Sequence, residues 1–321
     1  MGNSRERQGR QISLIDRYRG ALLGLACGDA VGTTVEFRAR GSFPRVTDMV
    51  GGGPFDLKPG QWTDDTSMAL CLAESLVRKG AFDPADQMTR YVNWWTWGYY
   101  SSTGECFDIG STVRRALERF QQTGEPFAGS TDPYSAGNGS LMRLAPVVLF
   151  GFPEEDRIAQ LAGDSSRTTH GASEAVECCR LFGVLLGKAL RGEPKNNLKE
   201  SSSLRLTEAA VISIAEASYL HKRVQDICGS GYCVASLEAA LWCFHQTATF
   251  EDAVLEAANL GDDADTTGAI VGQIAGAHYG VEAIPTRWRE KLSHVGEIDG
   301  LARALHELAT TRVRVVPDVN V

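Results

Sequence analysis

The chain is short of several features that would have fixed its class at once. Eight cysteines, at positions 27, 71, 106, 178, 179, 228, 233 and 243, include no C-x-x-C pair, and most sit in apolar helical patterns. They read as reduced core thiols, not a disulfide or zinc framework. No apolar run approaches the roughly eighteen residues of a membrane helix. The start, Met1 to Gln8, is polar and lacks the apolar core of a signal peptide, and Glu6 stands where a myristoylation signal needs Ser or Thr. A cytoplasmic protein off the membrane is the expectation. Positive charge is scarce too: a net charge of -8 argues against nucleic acid as a partner. Alternating strand-like runs are few and there is no βαβ rhythm.

Helical periodicity fills the space those absences leave. The spacing predicts helices over 14–33, 66–79, 84–98, 110–123, 139–150, 154–163, 172–191, 206–220, 233–246, 250–259, 266–279 and 286–309, hence an all-α, single compact helical bundle. Residues 1–12 and 312–321 are expected to be flexible tails around a domain over 13–311. The polar stretch 192–203 reads as a mobile surface loop. Gly51-Gly52-Gly53-Pro54, inside the loop 41–60, delivers the chain to an acidic cluster.

That cluster, Thr63-Asp64-Asp65-Thr66, and a second, Gly261-Asp262-Asp263-Ala264-Asp265-Thr266-Thr267, carry the chemistry. Each packs carboxylates beside threonine hydroxyls ahead of an apolar helix. These are hard oxygen ligands, suited to Mg²⁺, Mn²⁺ or Ca²⁺. A capping Asp needs no function, since it is stabilised by about 0.3–1 kcal/mol at a helix start. Two adjacent carboxylates exceed what capping requires. In an extended loop Asp263 and Asp265 point the same way, whereas Asp262 points elsewhere and is the weaker ligand candidate. The helix after the second cluster is glycine-rich and suits close packing. Asp29, in Gly28-Asp29-Ala30, reads as a buried hydrogen-bonding group near the site, while Glu36 alone would read as exposed surface. Three further segments look like ligand loops: Tyr134-Ser135-Ala136-Gly137-Asn138-Gly139-Ser140, Thr168-Thr169-His170-Gly171 and Gly229-Ser230-Gly231-Tyr232. The first offers free amides to phosphate, without the Lys-Ser/Thr ending of a Walker motif.

In this order, Thr63-Asp64-Asp65-Thr66, Gly137-Asn138-Gly139, Thr169-His170-Gly171 and Gly261-Asp262-Asp263-Ala264-Asp265-Thr266 resemble the ADP-ribosylglycohydrolase family over about residues 14–310. The resemblance implies an orthogonally packed all-α fold with two divalent cations, Mg²⁺ or Mn²⁺. It implies release of ADP-ribose from modified side chains, arginine-linked by likeness to the bacterial dinitrogenase-reductase branch. By the same resemblance Thr63, Asp64, Asp65, Asp263, Asp265 and Thr266 are the metal ligands, and Glu36, Asp108 and Asp65 the catalytic groups. Ser135, Gly137, Asn138, Gly139 and His170 would bind ADP-ribose, with Tyr232 on the adenine. The pattern departs from the serine-specific hydrolases at Ala136, where those carry tyrosine; Tyr134 lies two residues earlier. An ADP-ribosylated protein is the implied substrate, acted on by a monomer. Two alternatives stay open: a regulatory or immunity protein that also occludes a cognate ADP-ribosyltransferase, and a two-metal phosphohydrolase.

Overall fold

The computed structural model describes residues 11–199 and 204–315, so most of the N-terminal tail, residues 200–203 of the polar loop and residues 316–321 lie outside the described residues. Among the described residues there is no sheet, only isolated bridges, and no helix is long and apolar enough to cross a membrane. The fold is all-α, as expected. Its first half runs through α1 (Leu14–Gly32), α2 (Asp64–Lys79), α3 (Pro84–Trp97), α4 (Ser111–Thr123), α5 (Ala145–Gly151), α6 (Glu155–Arg167) and α7 (Ser173–Leu190). Its second half runs through α8 (Ala209–Ala215), α9 (Cys233–Gln246), α10 (Phe250–Leu260), α11 (Ala264–Tyr279), α12 (Thr286–Lys291) and α13 (Val295–Val315).

The centre is the pair α1 and α11, packed side by side along their lengths. Glycines every fourth residue make this possible. Gly20, Gly24, Gly28 and Gly32 of α1 face Gly276, Gly272, Gly268 and Ala264 of α11, and a Cβ on any of these glycines would overlap the carbonyl oxygen of the residue opposite. Backbone touches backbone, so the pair behaves as one rigid unit. Because α1 begins the domain and α11 lies near its end, the elements on either side of the 192–203 loop interlock.

Several helix ends differ from the expected ones, each for a tertiary reason. Helix α2 begins at Asp64 and α11 at Ala264, so the carboxylates lie in or beside the first turns. The segment 139–144 is a turn, and α5 begins only at Ala145. Leu141 and Met142 donate to the Asn138 carbonyl there. The helix expected over 206–220 stops at Ala215, with Ala217 in the left-handed region at φ 59°. The helix expected over 286–309 breaks at 292–294. Ser293 N–H donates to Gly60 O and Trp62 Nε1 donates to Ser293 O, drawing that segment out of register. Residues 312–315, expected to be tail, continue α13. Cysteines 27, 71, 178, 179, 233 and 243 are buried and unpaired, whereas Cys228 is exposed.

Candidate metal centre

The glycine-packed helices bring the two acidic clusters together. Asp29, in the last turn of α1, is fully buried and organises the start of α2. Its Oδ1 accepts from Thr63 N (2.9 Å) and Thr63 Oγ1 (3.0 Å); its Oδ2 accepts from Thr66 N (3.0 Å) and Thr66 Oγ1 (2.6 Å). Thr63, the N-cap residue of α2, makes no cap bond with its own side chain. The cap comes from another helix. The sequence reading of Asp29 as a buried hydrogen-bonding group thus agrees with its place. Two N–H groups and two hydroxyls crowd its oxygens, which makes it a positioning group for the start of α2.

The Thr63 hydroxyl also lies 3.0 Å from Asp65 Oδ2 and 3.1 Å from Asp265 Oδ2. A hydroxyl has one proton to give. Three carboxylate oxygens converge on it, so at least two of them face a lone pair. Asp65 Oδ1, Asp265 Oδ1 and Glu36 Oε2 are buried with no hydrogen-bond partner. Oxygen atoms of Asp29, Asp65 and Asp265 lie within 4.8 Å of one another, as do those of Glu36, Asp108 and Asp265, so Asp265 is common to both groups. Buried, crowded, unpartnered carboxylate oxygens are the donor set of a hard divalent cation. The residues fit such an ion.

Charge repulsion leaves its mark on these groups. Burial, then Asp108 and the other nearby carboxylates, pushes Glu36 up to about 10. Burial and Asp263 push Asp108 up to about 7. Asp64, Asp65 and Asp265 are raised well above the usual carboxylate range, first by burial and then by their neighbours. Glu36, which alone would read as exposed surface, is instead buried. It follows a short 3₁₀ turn, Thr33–Val35, at the end of α1.

A cavity of about 420 Å³ opens onto this centre, lined by Glu36, Asp64, Asp108, Asp263, Asp265 and Thr266 together with Gly137, Asn138, Gly139 and His170. Asp263 and Asp265 both reach it, although not through an extended loop: Asp263 is the N-cap residue of α11 and Asp265 lies in its first turn. Asp262 is exposed, at φ 55°, and does not line the cavity. Asn138 Nδ2 donates to Asp263 Oδ2 (2.7 Å) and to Ser236 Oγ (2.8 Å), tying the glycine loop to the second cluster.

His170 is buried behind that loop. Its Nδ1 lies 2.9 Å from Thr169 Oγ1, and Thr169 Oγ1 accepts from Arg143 Nη2 at 2.7 Å. Assigned from this network, the threonine proton goes to Nδ1, leaving Nε2–H turned toward Gly137. Burial and the Arg143 guanidinium lower His170 to about 3, so it is a neutral donor at pH 7. The ring also explains the two glycines. A Cβ at Gly139 would lie 2.8 Å from His170 Cε1, and one at Gly137 would lie 3.2 Å from Nε2. Gly139→Ala should therefore displace the ring and destabilise the fold by about 1–3 kcal/mol through overpacking. Thermal denaturation checks this, and an unchanged melting temperature would refute it.

Beyond Gly137 the cavity adjoins a groove of about 670 Å³ lined by Tyr134, Ser135, Ala136, Glu174, Gly231 and Tyr232. Asn138 N–H donates to Gly231 O and Cys233 N–H to Ala136 O, pairing the two loops. Ser135 lines this groove and not the main cavity. Tyr134, placed out of position in the sequence, lines the same groove as Tyr232. Sequence reasoning named Thr169 only as part of the His170 loop and assigned no role to Arg143 or Ser236. A charged residue within the apolar run Leu141-Met142-Arg143-Leu144 was the one available signal.

Residues 10–314 match the family profile described as ADP-ribosylglycohydrolase. The chain is 46% identical, over 92% of its length and 79% of the relative's, to the ADP-ribosylarginine hydrolase Tri1 of Pseudomonas putida (strain GB-1). It is 36% identical, over 87% of its length and 91% of the relative's, to the ADP-ribosyl-[dinitrogen reductase] glycohydrolase of Rhodospirillum rubrum. A solved structure described as an ADP-ribosylglycohydrolase-related protein complex superposes with a TM-score of 0.82 at 46% identity, covering 92% of this chain and 99% of that one.

Proposed function

This chain belongs to the ADP-ribosylglycohydrolase family, and on that footing we propose that it removes ADP-ribose from arginine side chains of modified proteins at a centre holding two divalent cations, Mg²⁺ or Mn²⁺. The observation that carries the metal reading is the convergence of Asp29, Asp65 and Asp265 on the single Thr63 hydroxyl, with buried unpartnered oxygens beside it. The arginine linkage is supported by the relatives at 46% and 43% identity, both named as ADP-ribosylarginine hydrolases.

Bound to Thr63, Asp64, Asp65, Asp263, Asp265 and Thr266, the cations would supply positive charge that gathers ribose hydroxyls and a water and acidifies that water. The chain's own residues do the rest. Asp29 fixes Thr63 and Thr66 so that their oxygens face the centre. Asn138 holds Asp263, and His170 Nε2–H with the glycine loop binds the diphosphate. Tyr134 and Tyr232 bracket the adenine. Asp65 orients the attacking water. Glu36 and Asp108 take its proton and return one to the leaving nitrogen, so that the C1″–O bond forms as the C1″–N bond breaks. The carboxylates around the ribose stabilise the oxocarbenium character that develops.

Mass spectrometry of the products should show intact ADP-ribose and unmodified arginine. Chelation should lower turnover by about 10³-fold, restored by Mg²⁺ or Mn²⁺. AMP or phosphate among the products would point instead to phosphohydrolysis, and full activity in chelator would remove the metals from the reaction.

A further inference from the structure

The ADP-ribose path just described leaves one wall of the cavity unused. Phe37 lines it beside Glu36, Asp64 and Asp108, yet 67% of the residue is exposed. Its backbone sits at φ 61°, a region bulky side chains rarely adopt. The turn is pinned from outside: Phe37 N–H donates to Asp262 O (2.7 Å) and Asp262 N–H donates to Arg38 O (2.8 Å). Packing does not explain this placement, because an exposed ring gains little from burial.

Two further rings back Phe37. Phe37 meets Phe55 edge to face at 6.5 Å between centroids, and Phe55 meets Phe107 at 5.1 Å. All three stand outside the hydrophobic core. Phe37 follows Glu36 in the chain and Phe107 precedes Asp108, so each carries a cavity carboxylate as its neighbour. Phe55 is presented by the glycine turn 51–53, closed by reciprocal backbone bonds between Gly52 and Leu57 (2.7 and 3.0 Å). At Gly53 a Cβ would overlap Thr33 O, so the turn sits directly against the segment leading to Glu36.

Phe37 lines the same cavity as Gly137, Gly139 and His170 and follows Glu36 directly in the chain. With the ADP moiety on those glycines, the exposed Phe37 ring remains free to meet the acceptor side chain. An aromatic face beside carboxylates selects a planar cation. A guanidinium satisfies both surfaces, stacking on the ring and attracted by the acids. The neutral oxygen of a serine linkage satisfies neither.

We propose that Phe37, backed by Phe55 and Phe107, forms the acceptor subsite, stacking on the guanidinium of ADP-ribosylated arginine and setting the preference for that linkage. This rests on the arginine reading above. Phe37 is a specificity residue that touches the leaving group and moves no proton.

The test compares wild type, Phe37→Leu, Phe37→Trp and Phe55→Leu on ADP-ribosylarginine and on an ADP-ribosylserine peptide, with ADP-ribose affinity measured by calorimetry. Phe37→Leu keeps apolar area but removes the π face. It should raise KM for the arginine substrate about 3- to 30-fold, with kcat and ADP-ribose affinity within about twofold. Phe37→Trp should restore the wild-type KM, and Phe55→Leu should give a smaller rise. An unmoved KM in Phe37→Leu overturns the subsite, as does an equal loss of ADP-ribose affinity. A wild-type enzyme that cleaves the serine peptide and leaves ADP-ribosylarginine intact overturns the arginine reading itself.

Discussion

Asp265→Ala should lower kcat/KM for ADP-ribosylarginine by about 10⁴-fold and, at the same time, raise the melting temperature of the metal-free protein. The activity loss follows from position, since Asp265 belongs to both carboxylate groups. Removing it takes one oxygen donor from each, and electrostatic stabilisation of this kind is worth several kcal/mol per group. The stability gain follows from the same crowding. Asp265 is buried, with Oδ1 unpartnered, among Glu36, Asp65, Asp263 and Asp108. Replacing an uncompensated buried charge by an apolar group is worth about 1–4 kcal/mol to the folded state.

Above about pH 6.5, where His170, His245 and His278 are neutral in both the folded and the unfolded state, these carboxyls set the sign of the pH dependence. Their folded values lie above their unfolded ones, near 4, so the folded state holds more protons over the interval between. Their contribution to stability is complete below about pH 4. It is lost as pH rises through the folded values, about 7 for Asp108 and about 10 for Glu36. The melting temperature of the chelated protein should therefore fall from about pH 6.5 to about pH 8. Saturating Mg²⁺ or Mn²⁺ should flatten that slope, and Asp265→Ala should reduce it without metal. A chelated protein that gains stability over that interval would falsify the account of the centre, as would near-wild-type hydrolysis by Asp265→Ala.

Gly272→Leu carries the second large effect. Any Cβ at this position runs into the carbonyl of Gly24, and a backbone atom has no rotamer by which to move aside. The helices must separate, at about 3 kcal/mol or more, equivalent to a fall of roughly 10 °C in melting temperature. Whatever folded enzyme remains should be nearly inactive, because α1 carries Asp29 and α11 carries Asp265, and their separation sets the centre. Gly300→Ala, on α13 with open space around it, is the control. It should be neutral or stabilising by up to about 1 kcal/mol, through helix propensity alone. Equal melting temperatures for the two variants would show that the glycine seam does not hold the centre.

Much of this was legible in the chain. Periodicity gave the helices, and two runs of carboxylate and hydroxyl gave the hard-ligand chemistry. Asp29 could be read as buried because it follows Gly28 in an apolar helix. The helix ends were harder. The starts of α2 and α11 depend on bonds from remote elements, Asp29 for α2 and the Gly229 carbonyl, which accepts from Asp263 N–H, for α11. The break at 292–294 depends on Trp62 and Gly60, far away in the chain. Glu36 had no local sign of burial. Phe37, Phe55 and Phe107, scattered along the chain, gave no periodic signal at all.

The sequence by itself determined the all-α class, the ligand chemistry of the two acidic clusters and, through four ordered motifs, the family. The tertiary structure alone decided that the clusters meet across Thr63, that Asp265 serves both carboxylate groups, and that an aromatic row stands beside them. Residue type and local spacing set what a group can bind and which element it joins. The distance between groups at opposite ends of the chain is set by packing, here by the glycine contact of α1 with α11, which no local window contains.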